Sequence, residues 1–372
     1  MNINATGIIF SNIHDEELHE ITTKRTMGAV PFCGSYRLID FALSNMRNSF
    51  VESVGVIAKN NYQSLIDYVK SGKEWDMSRK RGGLFIFPPF GRLHSGYYNN
   101  KIEALFGILT FIKDAKTDYF VITDCDIVCN FNWKIPLEYH ILKKADITII
   151  YFNENQKHDP SVKETVYSIS DDGYVNDIQI NQHAKPNDCI GSNMWIISKD
   201  FLIAMIEDAT AHNLENIERD IMQKKLMQYK IAAWKYKGYI NKINSIFDYY
   251  CANMNMLNQS IREDLFYKHG HIYTKVEDDI PTRYGSDAKV FNSLIADGCL
   301  IEGSIENSII FRNVHVGKGS IIRNSLIMES NTIGNHVNLN YVLSDTDVMI
   351  RDNRTLAGYD LYPFYIKQGS HI

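Results

Sequence analysis

Between Ser293 and Leu343 the chain places isolated aliphatic residues at six-residue intervals. Ile295 and Ile301 are six apart, as are Ile310, Val316, Ile322 and Met328, and a second series runs through Ile321, Ile327, Ile333 and Leu339. Gly and Asn fill the intervals. This period restricts the fold severely. Three short strands per coil, each turning one aliphatic side chain inward, stack into a parallel β-helix. The series break at Asn307 and Gly334, which leaves an ordinary β-rich domain as the competing expectation. A β-helix has no general catalytic pocket, and its edges and flat faces favour stacking, so an oligomer is expected.

The chemistry must then lie upstream. At 372 residues the chain exceeds one hydrophobic core. Up to about residue 250, apolar runs alternate with amphipathic stretches. Gly7–Phe10, Ser53–Ile57, Tyr119–Ile122 and Ala145–Ile150 read as buried strands; Phe41–Asn48, Tyr62–Lys70 and Ile102–Lys113 carry helical spacing. Such alternation predicts an α/β domain with a mostly parallel sheet, whose ligands bind beyond the carboxyl ends of the strands. The expected division is an α/β domain over 1–245, a linker over 246–285 with a helix at Tyr249–Leu257, and the β-helix over 286–372.

Bulk properties exclude several classes. A formal charge of −5 argues against a general nucleic-acid binder. No run approaches the roughly 20 apolar residues that span a bilayer, and the first residues carry no basic, apolar leader, so no membrane is expected and the cytoplasm is the expected compartment. Six scattered cysteines suit reduced thiols. Cys125 and Cys129 form the only close pair, without a second pair or histidine at zinc-ligand spacing.

The run Lys24-Arg25-Thr26-Met27-Gly28-Ala29-Val30-Pro31-Phe32-Cys33-Gly34-Ser35-Tyr36-Arg37-Leu38-Ile39-Asp40-Phe41-Ala42-Leu43-Ser44-Asn45 resembles the sugar-phosphate nucleotidyltransferases, and more narrowly the ADP-glucose pyrophosphorylases (glucose-1-phosphate adenylyltransferases). Trp75-Asp76, Arg79-Lys80-Arg81-Gly82-Gly83-Leu84 and Pro88-Pro89 add a second match. The resemblance covers essentially the whole chain. It implies a Rossmann-like nucleotidyltransferase domain with a mostly parallel mixed sheet, followed by a C-terminal left-handed parallel β-helix. It further implies the joining of ATP to glucose 1-phosphate, which gives ADP-glucose and pyrophosphate. That reaction needs a Gly-rich loop and a cation on the triphosphate, and carboxylates that hold Mg²⁺ for the in-line attack.

The chain departs from this pattern where the chemistry should lie. The family's Leu-Ala-Gly-Gly-x-Gly-Thr-Arg-Leu is here Phe10-Ser11-Asn12-Ile13-His14-Asp15-Glu16-Glu17-Leu18, stripped of glycine and acidic toward a triphosphate. Met27 stands where a phosphate-facing lysine is expected. Asn100-Lys101 replaces the Gly-Thr associated with base contact. Asp126 matches one metal aspartate, but Lys242 stands at the other, and an ammonium cannot ligate Mg²⁺. Lys185 and Ser192 match what remains of a sugar-phosphate site, with Ala184 in place of a glutamate.

With these losses the resemblance narrows to a GlgD-type subunit, which implies no functional catalytic residues (Asp126, Met27 and Lys242 being degenerate) and no metal or cofactor of its own. Mg²⁺ is expected only in a catalytic glucose-1-phosphate adenylyltransferase partner, joined in a hetero-oligomer for which a tetramer is the expected size. Lys24, Arg25 and Arg37 match a basic pocket for phosphorylated effectors; the alternative is that they are cations paired with carboxylates such as Asp40. The rival functions are an active nucleotidyltransferase with altered substrate choice and a sugar-phosphate sensor or scaffold.

Overall fold

The structure is a computed structural model and describes residues 4–11, 18–79, 82–89, 98–153 and 159–372. In chain order, its first half contains β1 (Ala5–Phe10), α1 (Leu38–Asn48), β2 (Ser53–Ile57), α2 (Gln63–Val69), β3 (Gly83–Phe87), α3 (Lys101–Gly107), α4 (Leu109–Asp114), β4 (Tyr119–Asp124), β5 (Ile127–Cys129), α5 (Lys134–Lys143) and β6 (Ile147–Asn153). Then come β7 (Glu164–Ile169), β8 (Val175–Gln182), β9 (Cys189–Ser198), α6 (Lys199–Ala211), β10 (Ile231–Lys235), β11 (Ile240–Lys242), α7 (Ile246–Met254) and α8 (Gln259–Tyr267). The helix expected over Ile102–Lys113 is two helices, α3 and α4, broken at Ile108.

A mixed, mostly parallel nine-stranded sheet forms the α/β domain, with β8, β7, β9, β4, β1, β2 and β3 in spatial order. β4, β1, β2 and β3 are mutually parallel; β9 runs antiparallel to β4 and β6. All six residues of β1 are buried, which explains its continuous apolar run: helices cover both of its faces. At the start of α1 the Asp40 carboxylate accepts the Arg37 N–H at 3.0 Å and satisfies one orphan helical donor. Asn45 accepts from the Phe131 N–H at 2.8 Å and donates to the Cys129 carbonyl at 3.0 Å. Ser44 accepts from the Tyr273 N–H at 2.8 Å. In this chain the polar residues of the Arg37–Asn45 run therefore fasten backbone segments together.

The C-terminal domain is a left-handed parallel β-helix of three five-stranded parallel sheets whose first strand is Arg283–Tyr284. Ile301, Val316, Ile333 and Ile350 stack in one inward column; Ile305, Ile322, Leu339 and Leu356 stack in another. The later coils advance by 17 residues, which corrects the strict six-residue period: the pattern slips one position per coil. Ile322 thus points inward while Ile321 is half-buried, and Met328 packs into the core of the α/β domain. The corners impose the 17-residue step. Asn307, Asn324 and Tyr341 recur at one corner and Asn313, Ser330 and Asp347 at another, all at positive φ, where asparagine bears the strain better than most side chains.

The expected linker is not a tether. Phe247, Tyr249, Tyr250, Leu265 and Phe266 lie in the same buried cluster as α1 and as Ile309, Phe311, Leu326 and Leu343 of the β-helix. Tyr250 donates to the Asn324 carbonyl at 2.6 Å across the junction. Among the described residues, no helix is long and apolar enough to cross a membrane.

Candidate functional site

A cleft of about 370 Å³ lies next to the carboxyl end of β4, whose Asp124 bonds the lining residue Lys101; a sheet of this kind places its ligands there. Lys101, Lys163, Glu164, Asn193, Lys242 and Asn244 line it, together with Glu215, Asn216 and Glu218. Two of its lysines, Lys101 and Lys242, are engaged in ion pairs.

Lys101 begins α3, the Asn100 side chain capping that helix by accepting the Glu103 N–H at 2.9 Å. Its ammonium donates to Asp124 Oδ2 at 2.7 Å, with the two side chains 9% and 2% exposed. It also lies 4.5 Å from the Trp195 ring centroid and 5.6 Å from that of Phe10. Burial pulls the Lys101 pKa down, but Asp124, Glu218 and Asp126 more than offset it, so the net shift is upward and the group stays charged.

Lys242 closes β11, which pairs antiparallel with β5 so that the Ile243 N–H reaches the Asp126 carbonyl at 2.8 Å. Its ammonium lies 2.6 Å from Glu164 Oε2, and both side chains are buried to about a tenth of their exposed area. The Asn244 amide donates to the other oxygen of Glu164. Asp126, 1% exposed, accepts from the Asn193 amide at 3.2 Å.

The other expected site residues are dispersed. Met27 is 1% exposed in the apolar core, in a short 3-10 turn held by the Gly28 N–H to the Ser11 carbonyl. Ser192 is fully buried and its hydroxyl donates to the Ile150 carbonyl at 2.8 Å, which leaves it part of the β-sheet. Lys185 is exposed and borders a separate groove with His183 and Asp188. The acidic loop Asp15-Glu16-Glu17, and Lys80-Arg81, lie outside the described residues.

Of the three effector candidates, Lys24 is exposed, whereas Arg25 is buried with its guanidinium 2.5 Å from Asp345 of the β-helix. Asp345 also accepts from the Tyr365 hydroxyl at 2.9 Å. Arg37 stacks 4.4 Å over the Tyr68 ring and donates to the Ala29 carbonyl. Burial pushes the Asp40 carboxyl up to about 7 although the Arg37 N–H and the Tyr68 hydroxyl bond it. Burial likewise raises the Glu329 carboxyl, against the opposing charges of Arg37 and Arg25.

Sequence reasoning singled out Lys242 but missed Glu164, its partner 78 residues earlier, because no local pattern marks a lone glutamate. Lys101 was noted only as a departure from Gly-Thr; the doublet of carboxylates at Asp124 and Asp126 was the available signal for its role. The residues do not fit a magnesium ion. Ammonium groups sit against Asp124 and Glu164, and an ammonium offers no lone pair and repels a dication.

Comparison with known proteins agrees with this architecture. The nucleotidyl transferase family profile matches residues 8–162, and that of the GlmU-like C-terminal hexapeptide domain matches 279–362. The glycogen biosynthesis protein GlgD of Bacillus subtilis (strain 168) is 33% identical over 369 residues, which cover 99% of this chain and 97% of that protein. GlgD of Geobacillus stearothermophilus is 34% identical over 323 residues, 87% of this chain and 84% of the relative. The glucose-1-phosphate adenylyltransferase of the same organism is 28% identical over 333 residues, again 87% and 84%.

Proposed function

This chain belongs to the GlgD family of nucleotidyltransferase-fold proteins, and on that premise we propose that it is a regulatory, non-catalytic subunit of glucose-1-phosphate adenylyltransferase in glycogen biosynthesis. It assembles in the cytoplasm with a catalytic homologue, which supplies the Mg²⁺-dependent transfer from ATP to glucose 1-phosphate. One observation carries the reading: the ammonium of Lys242 is buried against Glu164, where the family resemblance places a metal carboxylate. In-line attack on a triphosphate depends on a dication that bridges and neutralises its oxygens. Here the ammonium groups of Lys101 and Lys242 are already neutralised by Asp124 and Glu164, and Met27 keeps its apolar side chain in the core. What remains intact is the scaffold, with its sheet, shared core and β-helix, which suits a structural homologue that docks beside an active copy.

Co-expression with the catalytic homologue of the same organism tests this. The two chains are expected to co-purify, and the complex to differ from the catalytic chain alone in maximal rate or in affinity for ATP and glucose 1-phosphate. The purified chain alone is expected to form no ADP-glucose with Mg²⁺. Separate elution with unaltered kinetics overturns the proposal, as does turnover by the isolated chain.

A further inference from the structure

We propose that the first coil of the β-helix is a self-association surface whose occupant is the same coil of a second copy of this chain. The proposal goes beyond the subunit reading and does not rest on it.

The two ends of the stack are finished differently. At the far end the chain closes its own solenoid. Ile372 packs on the β-helix core, its N–H reaches the Met349 carbonyl at 2.9 Å, and its carbonyl accepts the Arg351 N–H at 2.8 Å. Ile350 and Ile366 of the last coil are accordingly buried. At the near end the inward columns begin with Tyr284, Val290 and Ile295, which pair in register with Ile301, Ile305 and Ile310 of the second coil. Those second-coil residues are all sealed from solvent, whereas Tyr284 is 56% exposed, Val290 41%, and Phe291 beside it 68%. The core of the solenoid therefore opens to water at this end alone.

The backbone is open there as well. The Arg283 and Gly285 N–H groups bond the Cys299 and Ile301 carbonyls, so the intervening Tyr284 turns its own N–H and C=O away from the stack. Ile295 does the same between Leu294 and Ala296, which bond Ser308 and Ile310. A solenoid end with apolar inward residues and an unpaired ladder edge is what a capping segment or another chain covers. The charges around it select the occupant. Arg283, Asp287 and Lys289 are exposed, and no ion pair holds any of them among the described residues. A rim that carries cations and an anion, all unpaired, is complementary to itself: a two-fold axis through the end lets Asp287 of one copy meet Lys289 of the other, and the reverse. A nucleic acid or an anionic membrane would call for a rim of one sign. The end of one coil is small beside a standard interface, so dissociation on the order of 10 µM is expected.

Sedimentation velocity on the purified full chain, from roughly 1 to 100 µM, tests the proposal. Wild type is expected to pass from monomer to dimer across that range. Val290→Asp puts a carboxylate into the contact and Phe291→Ser removes an exposed ring; each is expected to weaken dimerisation at least about tenfold. The melting midpoint of Phe291→Ser, taken where wild type is monomeric, is expected within about 2 °C of wild type, and this variant decides the matter if Val290→Asp does not fold. Asp287→Lys and Lys289→Asp are each expected to weaken dimerisation roughly threefold, and the double reversal in one chain to recover most of that loss. A wild-type chain that stays monomeric throughout overturns the proposal. So does a dimer indifferent to Phe291→Ser and to the charge reversals, because it would use another surface. Sedimentation of this chain alone is independent of co-purification with a catalytic homologue, so either proposal can fail without the other.

Discussion

Arg25 and Lys24 are neighbours in sequence with opposite fates. Arg25 is buried against Asp345, a residue 320 positions away, with Thr346 Oγ1 a further acceptor at 3.3 Å; Lys24 is exposed. Removing one member of a buried pair strands the other charge, so Arg25→Ala is expected to cost about 3 kcal/mol, whereas Lys24→Ala stays within about 0.5 kcal/mol. Urea unfolding of the two variants measures the difference; equal stabilities would mean that Asp345 gains nothing from its guanidinium. The sequence showed that both are cations but could not show which was buried, because the partner comes from the other domain. For Lys242 the sequence carried the charge and the metal-ligand position, and lacked only Glu164.

At the scale of elements, the strands were legible because burial on both faces writes unbroken apolar runs into β1, β4 and β6, and such runs are local. The β-helix was legible in kind and misread in register. Six-residue counting treats Ile321 and Ile333 as equivalent, yet Ile333 is fully buried in a coil column and Ile321 is half-buried outside it. Ile333→Ala should therefore destabilise the protein by about 2–5 kcal/mol, and Ile321→Ala by less than about 1 kcal/mol. Comparable losses from both, by chemical denaturation, would support the uniform six-residue register instead. The missing signal was the corner residue: asparagines at positive φ step by 17 from Asn307 to Asn324, and turn positions rather than aliphatic ones set the length of a coil.

Across the whole molecule, one apolar cluster runs from β1 and α1 through α7 and α8 to the near face of the β-helix. Domains joined by a polar linker melt separately; domains that share a core do not. A single calorimetric transition is expected for the intact chain, with matching calorimetric and van't Hoff enthalpies, and two resolved transitions would show the junction to be weaker than its packing implies. The sequence by itself determined the α/β domain, the coil stack after it and the family to which both belong, because hydrophobic period and short motifs are properties of neighbouring residues. Only the tertiary structure decided that the linker is core, that Arg25 is taken by Asp345, and that Lys101 and Lys242 are sealed against Asp124 and Glu164. Those outcomes depend on burial and on distances of a few ångströms between residues far apart in the chain, and an ion pair's energy is governed by that distance and the local dielectric, neither of which a linear pattern contains.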